Sequence, residues 1–214
     1  MGNFGSWICV FIPGEEVCLV KTAILVSLVL LASMAAAQNA NIDERGKSPL
    51  ESKFMVGGQI RMELCSSGTD IVGKDEKEIR VSYTSRGDDS NVRVRLQVDE
   101  DRAIIRVTNC PNNNFRMTIE VPRATDLYVR MPAGQLDVSG VAGDKDFELH
   151  AGQMNIELGK TDDYRKVEAS VYTGEVNAAA YQVSKGGLFR SFERSGSGKY
   201  RLHAHIGAGQ IEIR

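Results

Sequence analysis

The sequence predicts an all-β chain, a single-domain β-solenoid of short stacked strands with glycine corners. Two observations carry this. From Phe54 to Arg214 apolar residues alternate with polar or charged ones, the period of strands with one face buried. One glycine-centred pattern also returns at spacings of about twenty residues, as repeated rungs would require. No window longer than about ten residues holds a helical period.

The chain opens with a segment of different character. Lys21 is followed by "TAILVSLVLLASMAAAQ", a positive residue, an apolar run and a small-residue stretch. Ala35 and Ala37 fit the small-x-small cleavage rule, so residues 1–37 read as a signal peptide cut after Ala37. The run is too short and too rich in alanine for a membrane span. An exported chain, periplasmic or at the cell surface, with no stable span after cleavage, is therefore expected. Glu15 and Glu16 precede the positive residue, which such signals avoid. We accordingly read residues 1–20 as a mis-called start, the true one falling near Val17 or Leu19. Residues 38–53 are polar and aperiodic, with Gly46 and Pro49, and read as a flexible lead-in. Residues 54–214 are the β-strand-repeat domain.

Within that domain "EIRVSYTS", "NVRVRLQV", "AIIRVTN", "FRMTIEV" and "DLYVRM" alternate cleanly. Val92, Val94, Leu96 and Val98 should point inward, and Arg93, Arg95 and Gln97 outward. "RGDDSN", "DED", "CPNNN" and "GVAGDKD" supply the turns. The repeat itself reads "MPAGQLDVSG" from Met131, "LHAGQMNIE" from Leu149, "VYTGEVNAA" from Val171 and "IGAGQIEIR" from Ile206, with a fifth copy, "MVGGQIRME", from Met55. The repeat glycines Gly58, Gly134, Gly152, Gly174 and Gly209 should form corners, where a Cβ has no space or φ is positive. Apolar columns should stack as the core: Met131 with Leu149, Val171 and Ile206, then Leu136 with Met154, Val176 and Ile211, then Val138 with Ile156, Ala178 and Ile213. The Gln or Glu after each glycine reads as a stacked amide ladder.

Composition narrows the function. A chain 42% hydrophobic and 25% charged, with a formal net charge of −2, is ordinary for a globular protein. It offers no basic stripe, zinc-finger spacing or RNA-binding aromatic motif, so no nucleic-acid partner is expected. Cys9 and Cys18 lie in the leader. Cys65 and Cys110 end two predicted strands, and in an exported chain they suggest one disulfide, the alternative being two buried free thiols.

The stretch "IEVPRATDLYVRMPAGQLDVSGVAGDKDFELHAGQMNIEL", Ile119 to Leu158, resembles the bacterial β-strand-repeat adhesin family, also called toast-rack domains. Val121-Pro122, Ala133-Gly134, Val138-Ser139-Gly140 and Gly143-Asp144 follow that family's layout, and "IGAGQIEIR" resembles its closing strand. The family often has Asp where this chain has Gln or Glu. The resemblance spans about Phe54 to Arg214. It implies an exported, non-enzymatic envelope protein acting as an adhesin-like binding or scaffold element, and it transfers no catalytic residue and no cofactor.

His203 and His205 share one strand face, but no third ligand stands at useful spacing, so no metal site is assigned. "SGSGKY" from Ser195 lacks the glycine and the hydroxyl residue of a phosphate loop. Asp137, Asn155, Asn177 and Glu212 form one outward column. Two carboxylates there could serve glycoside hydrolysis, so a carbohydrate-active β-helix enzyme, lyase or hydrolase, is the alternative reading. The insertion from Ser184 to Lys199 breaks the repeat. Its Phe189, Arg190, Phe192 and Arg194 are residue types favoured at interfaces. They are the candidate contacts for an envelope protein or an anionic surface polymer. Exposed strand edges at the ends of the stack also allow end-to-end self-association.

Overall fold

The computed structural model describes residues 39–112 and 114–214; the predicted signal peptide and its cleavage site lie outside them. The described chain is all-β, thirteen strands in one open sheet. In chain order these are β1 (Ala40–Arg45), β2 (Leu50–Lys53), β3 (Gln59–Glu63), β4 (Ser67–Lys74), β5 (Glu78–Thr84), β6 (Arg93–Asp99), β7 (Arg102–Thr108), β8 (Arg116–Pro122), β9 (Asp126–Ser139), β10 (Lys145–Ile156), β11 (Tyr164–Ala178), β12 (Val183–Ser195) and β13 (Tyr200–Ile213). Among the described residues, no helix is long and apolar enough to cross a membrane.

The sheet is folded along a line. The first half of β9 pairs in parallel with β3, Leu127 opposite Ile60, while its second half pairs with β4, Leu136 opposite Thr69. Strands β10, β13 and β11 repeat that bend, giving two wings. One wing continues through β3, β7, β6 and β1, the other through β4, β8, β5 and β2. Side chains from both wings join in one core, Phe147 and Leu149 from the first, Met154 and Ile156 from the second. Alternation also sets the faces of β6 as expected: Val92, Val94, Leu96 and Val98 are buried and Arg95 and Gln97 are exposed.

The bend is built by the glycines. Gly134, Gly152, Gly209 and Gly174 are in register on successive parallel strands, all with φ between 129° and 144°. A Cβ on Gly152 would fall on the carbonyl oxygen of Gly134, one on Gly209 on that of Gly152, and one on Gly174 on that of Gly209. Only hydrogen fits. The three apolar columns proposed for these rungs also stand in register.

Three expectations are corrected. Gly58 is not a corner: Gln59 aligns with Asp126 rather than with Gln135, and the residue stacked on Gly134 is Ser67. Gly58 instead immediately precedes β3, where Phe54 and the Asp101 carbonyl leave no space for a Cβ. Of the expected flexible lead-in, residues 38–53, the described part from residue 39 carries two strands. Ile42 and Leu50 pack on the core, and β1 and β2 close the two wings by antiparallel pairing with β6 and β5. The rungs also stack out of chain order. The last strand, β13, lies between β10 and β11, so the third copy of the repeat sits outside the fourth. Each rung offers its neighbour the same apolar columns, so local pattern does not decide the order.

The sulfurs of Cys65 and Cys110 are bonded, with Cα atoms 6.1 Å apart, linking the ends of the adjacent parallel strands β3 and β7. The bond spans 45 residues of sequence. Replacing both cysteines by serine should therefore cost about 3–4 kcal/mol in a urea titration. The glycine column makes a sharper prediction. Gly159 also has a positive φ but open space around it, so Gly159→Ala should cost about 1 kcal/mol of backbone strain. Gly152→Ala adds a backbone overlap and should cost about 3 kcal/mol or more. Equal unfolding midpoints for the two variants would show that the close approach is unimportant.

Candidate functional site

The insertion from Ser184 to Lys199 is not a loop. Most of it is β12, antiparallel to β11 along its whole length, and β12 ends the stack. The chain reaches it through a 3-10 turn, Ala179–Tyr181, and Gln182 in the left-handed region. Gly187 and Gly186 lie opposite Gly174 and Glu175, so β12 follows the same fold line as the rungs.

The register explains which side chains face where. Val167, Ala169 and Val171 are buried core residues of β11, and opposite them on β12 stand Arg194, Phe192 and Arg190. On the other wing Val176 faces Lys185. The core columns thus run out into cations at the last strand, where solvent begins. Arg190 Nε donates to the Gly186 carbonyl at 2.9 Å and Lys185 Nζ to the Ser191 carbonyl at 3.0 Å. Two carbonyls of this edge strand are taken up by its own side chains, and the inward charges oppose addition of another strand.

The four candidate contacts therefore separate. Phe189 is 68% exposed, adopts a positive φ and meets Tyr172, itself 60% exposed, with ring centroids 4.6 Å apart. Leu188 is exposed beside it. Arg190 is exposed on the same segment. Phe192 is not a surface contact: it is only 6% exposed and packs on Tyr181 at 5.3 Å, closing the end of the core. Arg194 is exposed on the far side of Phe192, against the wall formed by Tyr181. Among the described residues, Lys185, Arg190 and Arg194 make no ion pair. By contrast the first wing's outer face is laced with them, Arg93 and Arg95 on Asp43, Arg106 on Glu63, and Arg130 on Asp146 and Glu148.

The carboxylate column is differently occupied. Asp137 accepts from Gln135 Nε2 at 2.7 Å and Asn155 Nδ2 at 2.5 Å, and Glu212 is held by two Arg214 nitrogens at 2.9 and 3.0 Å. Asn155 lies between the two carboxylates in register, so they stand about 10 Å apart along the stack. The Arg214 hydrogen bonds hold Glu212 below the usual carboxylate range. A general acid needs the opposite shift. Nor do the histidines converge: His203 lies 3.3 Å from Asp146, while His205 bonds Ser170 at 2.9 Å. No cluster able to hold a metal is found among the described residues.

Sequence reasoning missed a buried cation. Lys145 is 2% exposed and stands in a core column between Leu127 and Leu202. Its Nζ donates to Tyr164 Oη at 2.5 Å and to the Gly143 carbonyl at 3.2 Å. The signal was available. In "KDFELH" Lys145 shares the parity of Phe147 and Leu149, and period two places all three on one face. Burial lowers its pKa to about 8, against the pull of Asp126 and Asp144. Burial also raises that of Tyr164.

Two solved structures are similar to the chain. One is a "putative cell adhesion protein" from Clostridium sporogenes, 14% identical, with a TM-score of 0.48, over 82% of this chain and 99% of its own. The other is a "putative adhesin" from Bacteroides fragilis, 10% identical, with a TM-score of 0.34, over 83% of this chain and 99% of its own. No protein-family model matches the chain, and no curated protein does.

Lys145 yields a pH prediction. Its folded pKa of about 8 lies below the ordinary lysine value of 10.5. Between these values the unfolded state binds more protons, so this group makes stability rise with pH. The cost is fully present below pH 8 and is relieved by up to about 3 kcal/mol toward pH 10. Tyr164 acts in the opposite sense only where free tyrosine ionises, near pH 10. Unfolding midpoints of the wild type should therefore climb from pH 7 to 9.5. Lys145→Met should be more stable at pH 7 and lack that climb.

Proposed function

We propose that this chain is an exported, non-enzymatic binding protein of the cell envelope: a solenoid-like scaffold of parallel rungs whose end strand, β12, carries an adhesin-like contact surface. One observation carries the reading. The end strand gathers exposed Leu188 and Phe189, with Tyr172 against Phe189, beside cations that have no acidic partner among the described residues. Aromatic side chains and arginine are the types that dominate binding energy at interfaces. A pair as exposed as Tyr172 and Phe189 contributes little to the core. Loops and edges on a rigid scaffold are where binding groups are held.

The partner that fits this chemistry is an anionic envelope polymer, or an envelope protein with an acidic face. The resemblance of Ile119 to Leu158 to the β-strand-repeat adhesin family supports the same location, periplasmic or at the cell surface. The engaged carboxylates of the Asp137 column support a binding role over a hydrolytic one.

The test is retention of the chain on immobilised envelope polysaccharide and peptidoglycan. Phe189→Ala combined with Arg190→Ala should weaken retention about tenfold or more, about 1.4 kcal/mol, with the melting temperature unchanged. Retention equal to wild type by this double variant would sink the proposal. Release of cleaved product from the same samples would favour the carbohydrate-active enzyme.

A further inference from the structure

Beside the end strand lies a pocket of about 390 Å³. It lies at the end of the stack, between the 3-10 turn Thr161–Asp163, the 3-10 turn Ala179–Tyr181 and the segment from Arg194 to Ser197. The core columns stop here, and the residues that follow are too small to fill the gap: Ser195, Gly196 and Ser197. Close packing fixes the walls. A Cβ at Gly196 would strike the Tyr164 carbonyl, and one at Gly198 the backbone of Asp163.

The lining has a definite chemistry. Tyr181 forms an aromatic wall, braced from behind by Phe192. Tyr164 lines it too, buried, with its hydroxyl fixed by Lys145. Arg194 supplies a guanidinium and Asp162 a carboxylate. Neither makes an ion pair among the described residues, although both act on the Tyr181 hydroxyl. Burial raises that hydroxyl's pKa, Arg194 opposes the shift and Asp162 adds to it. Thr161, Ser195, Ser197 and Gln182 complete a ring of hydroxyl and amide groups, with Val167 and Ala180 the aliphatic contacts.

We propose that this pocket binds one carboxylated sugar residue, of the uronic acid type, with the ring on Tyr181, the carboxylate on Arg194 and ring hydroxyls on Asp162 and the neighbouring serines. The inference rests on the reading of this end of the molecule as its binding end and names the polymer unit recognised there. An aromatic wall suits the apolar face of a sugar ring. A planar guanidinium suits a carboxylate through two parallel hydrogen bonds. A carboxylate in the same pocket accepts from hydroxyls and rejects a purely anionic ligand such as phosphate. The volume is at the small end for ligand sites, which suits one sugar ring and not a longer segment.

The experiment is calorimetric and NMR titration of the full chain with glucuronic acid, with glucose and with inorganic phosphate, alongside retention on a uronic-acid polysaccharide. Glucuronic acid should bind saturably, at least tenfold more tightly than glucose or phosphate. Arg194→Met should abolish that preference, and Asp162→Asn should weaken both sugars. A melting temperature and circular dichroism spectrum equal to wild type in Arg194→Met and Asp162→Asn guard against loss of fold. Equal affinity for glucuronic acid and glucose, or an unchanged preference in Arg194→Met, would overturn the inference. If no sugar binds while retention on the polymer still depends on Phe189 and Arg190, the pocket assignment fails and the end-strand reading stands. If neither sugar nor polymer binds, both fail.

Discussion

The two-winged core of the described chain depends on the close approach of four glycine backbones. Gly134, Gly152, Gly209 and Gly174 lie one upon the next, and the carbonyl oxygen of each of the first three stands where the Cβ of the next would be. That contact lets four long strands turn at the same level without leaving the parallel register. Because they turn together, one sheet becomes two wings, and two wings can enclose a core. Without the turn, each strand would carry one apolar face and no opposite wall. The glycines therefore matter less as flexible residues than as the only ones small enough for a crease of this sharpness.

The core that the crease encloses is uneven in size and in polarity. On the first wing Phe147 is flanked in register by Val129 and Ala204, and Ala204 by Ala169, so one column holds side chains of very different size. In the next column Lys145 occupies a position where its neighbours carry leucine. Its amine is satisfied by Tyr164 and a carbonyl, and so it is tolerated, although burial still disfavours its charge. The same contact fixes Tyr164, a wall of the pocket at the end of the stack. A polar interaction inside the core thus shapes a surface feature.

A stack of rungs has to end, and how it ends supplies the surface proposed for binding. At one end, β1 and β2 close the wings with short strands, and Arg93 grips Asp43 across the outer pair. At the other, β12 runs the full length of β11 but replaces the core's aliphatic columns with Arg194, Arg190 and Lys185. Inward-facing charges on an edge strand prevent a further rung from packing. They also leave cations and aromatic rings together on a rigid end face. One constraint, the need to terminate, supplies the groups that a binding surface uses.

Much of this was determined by the sequence alone. Period-two alternation settles that β6 buries Val94, Leu96 and Val98, because successive side chains of a strand point to opposite faces. The spacing of Gly134, Gly152, Gly174 and Gly209 identifies the corner, since one backbone geometry repeated four times demands one residue type. Parity also puts Lys145 on the face of Phe147 and Leu149, a signal the sequence reading passed over. Tertiary structure decided the rest. Every rung carries the same columns, so nothing local could place β13 between β10 and β11. Gly58 shares the motif but not the corner, because β3 pairs with the first half of β9 and leaves the bend to Ser67. Phe189 and Phe192 are three residues apart and of one type, yet one lies in solvent and the other on Tyr181, since only one of them faces the end of the core. The pocket is assembled from segments near residues 162, 181 and 194, which are distant in sequence and meet only at the packed end of the stack.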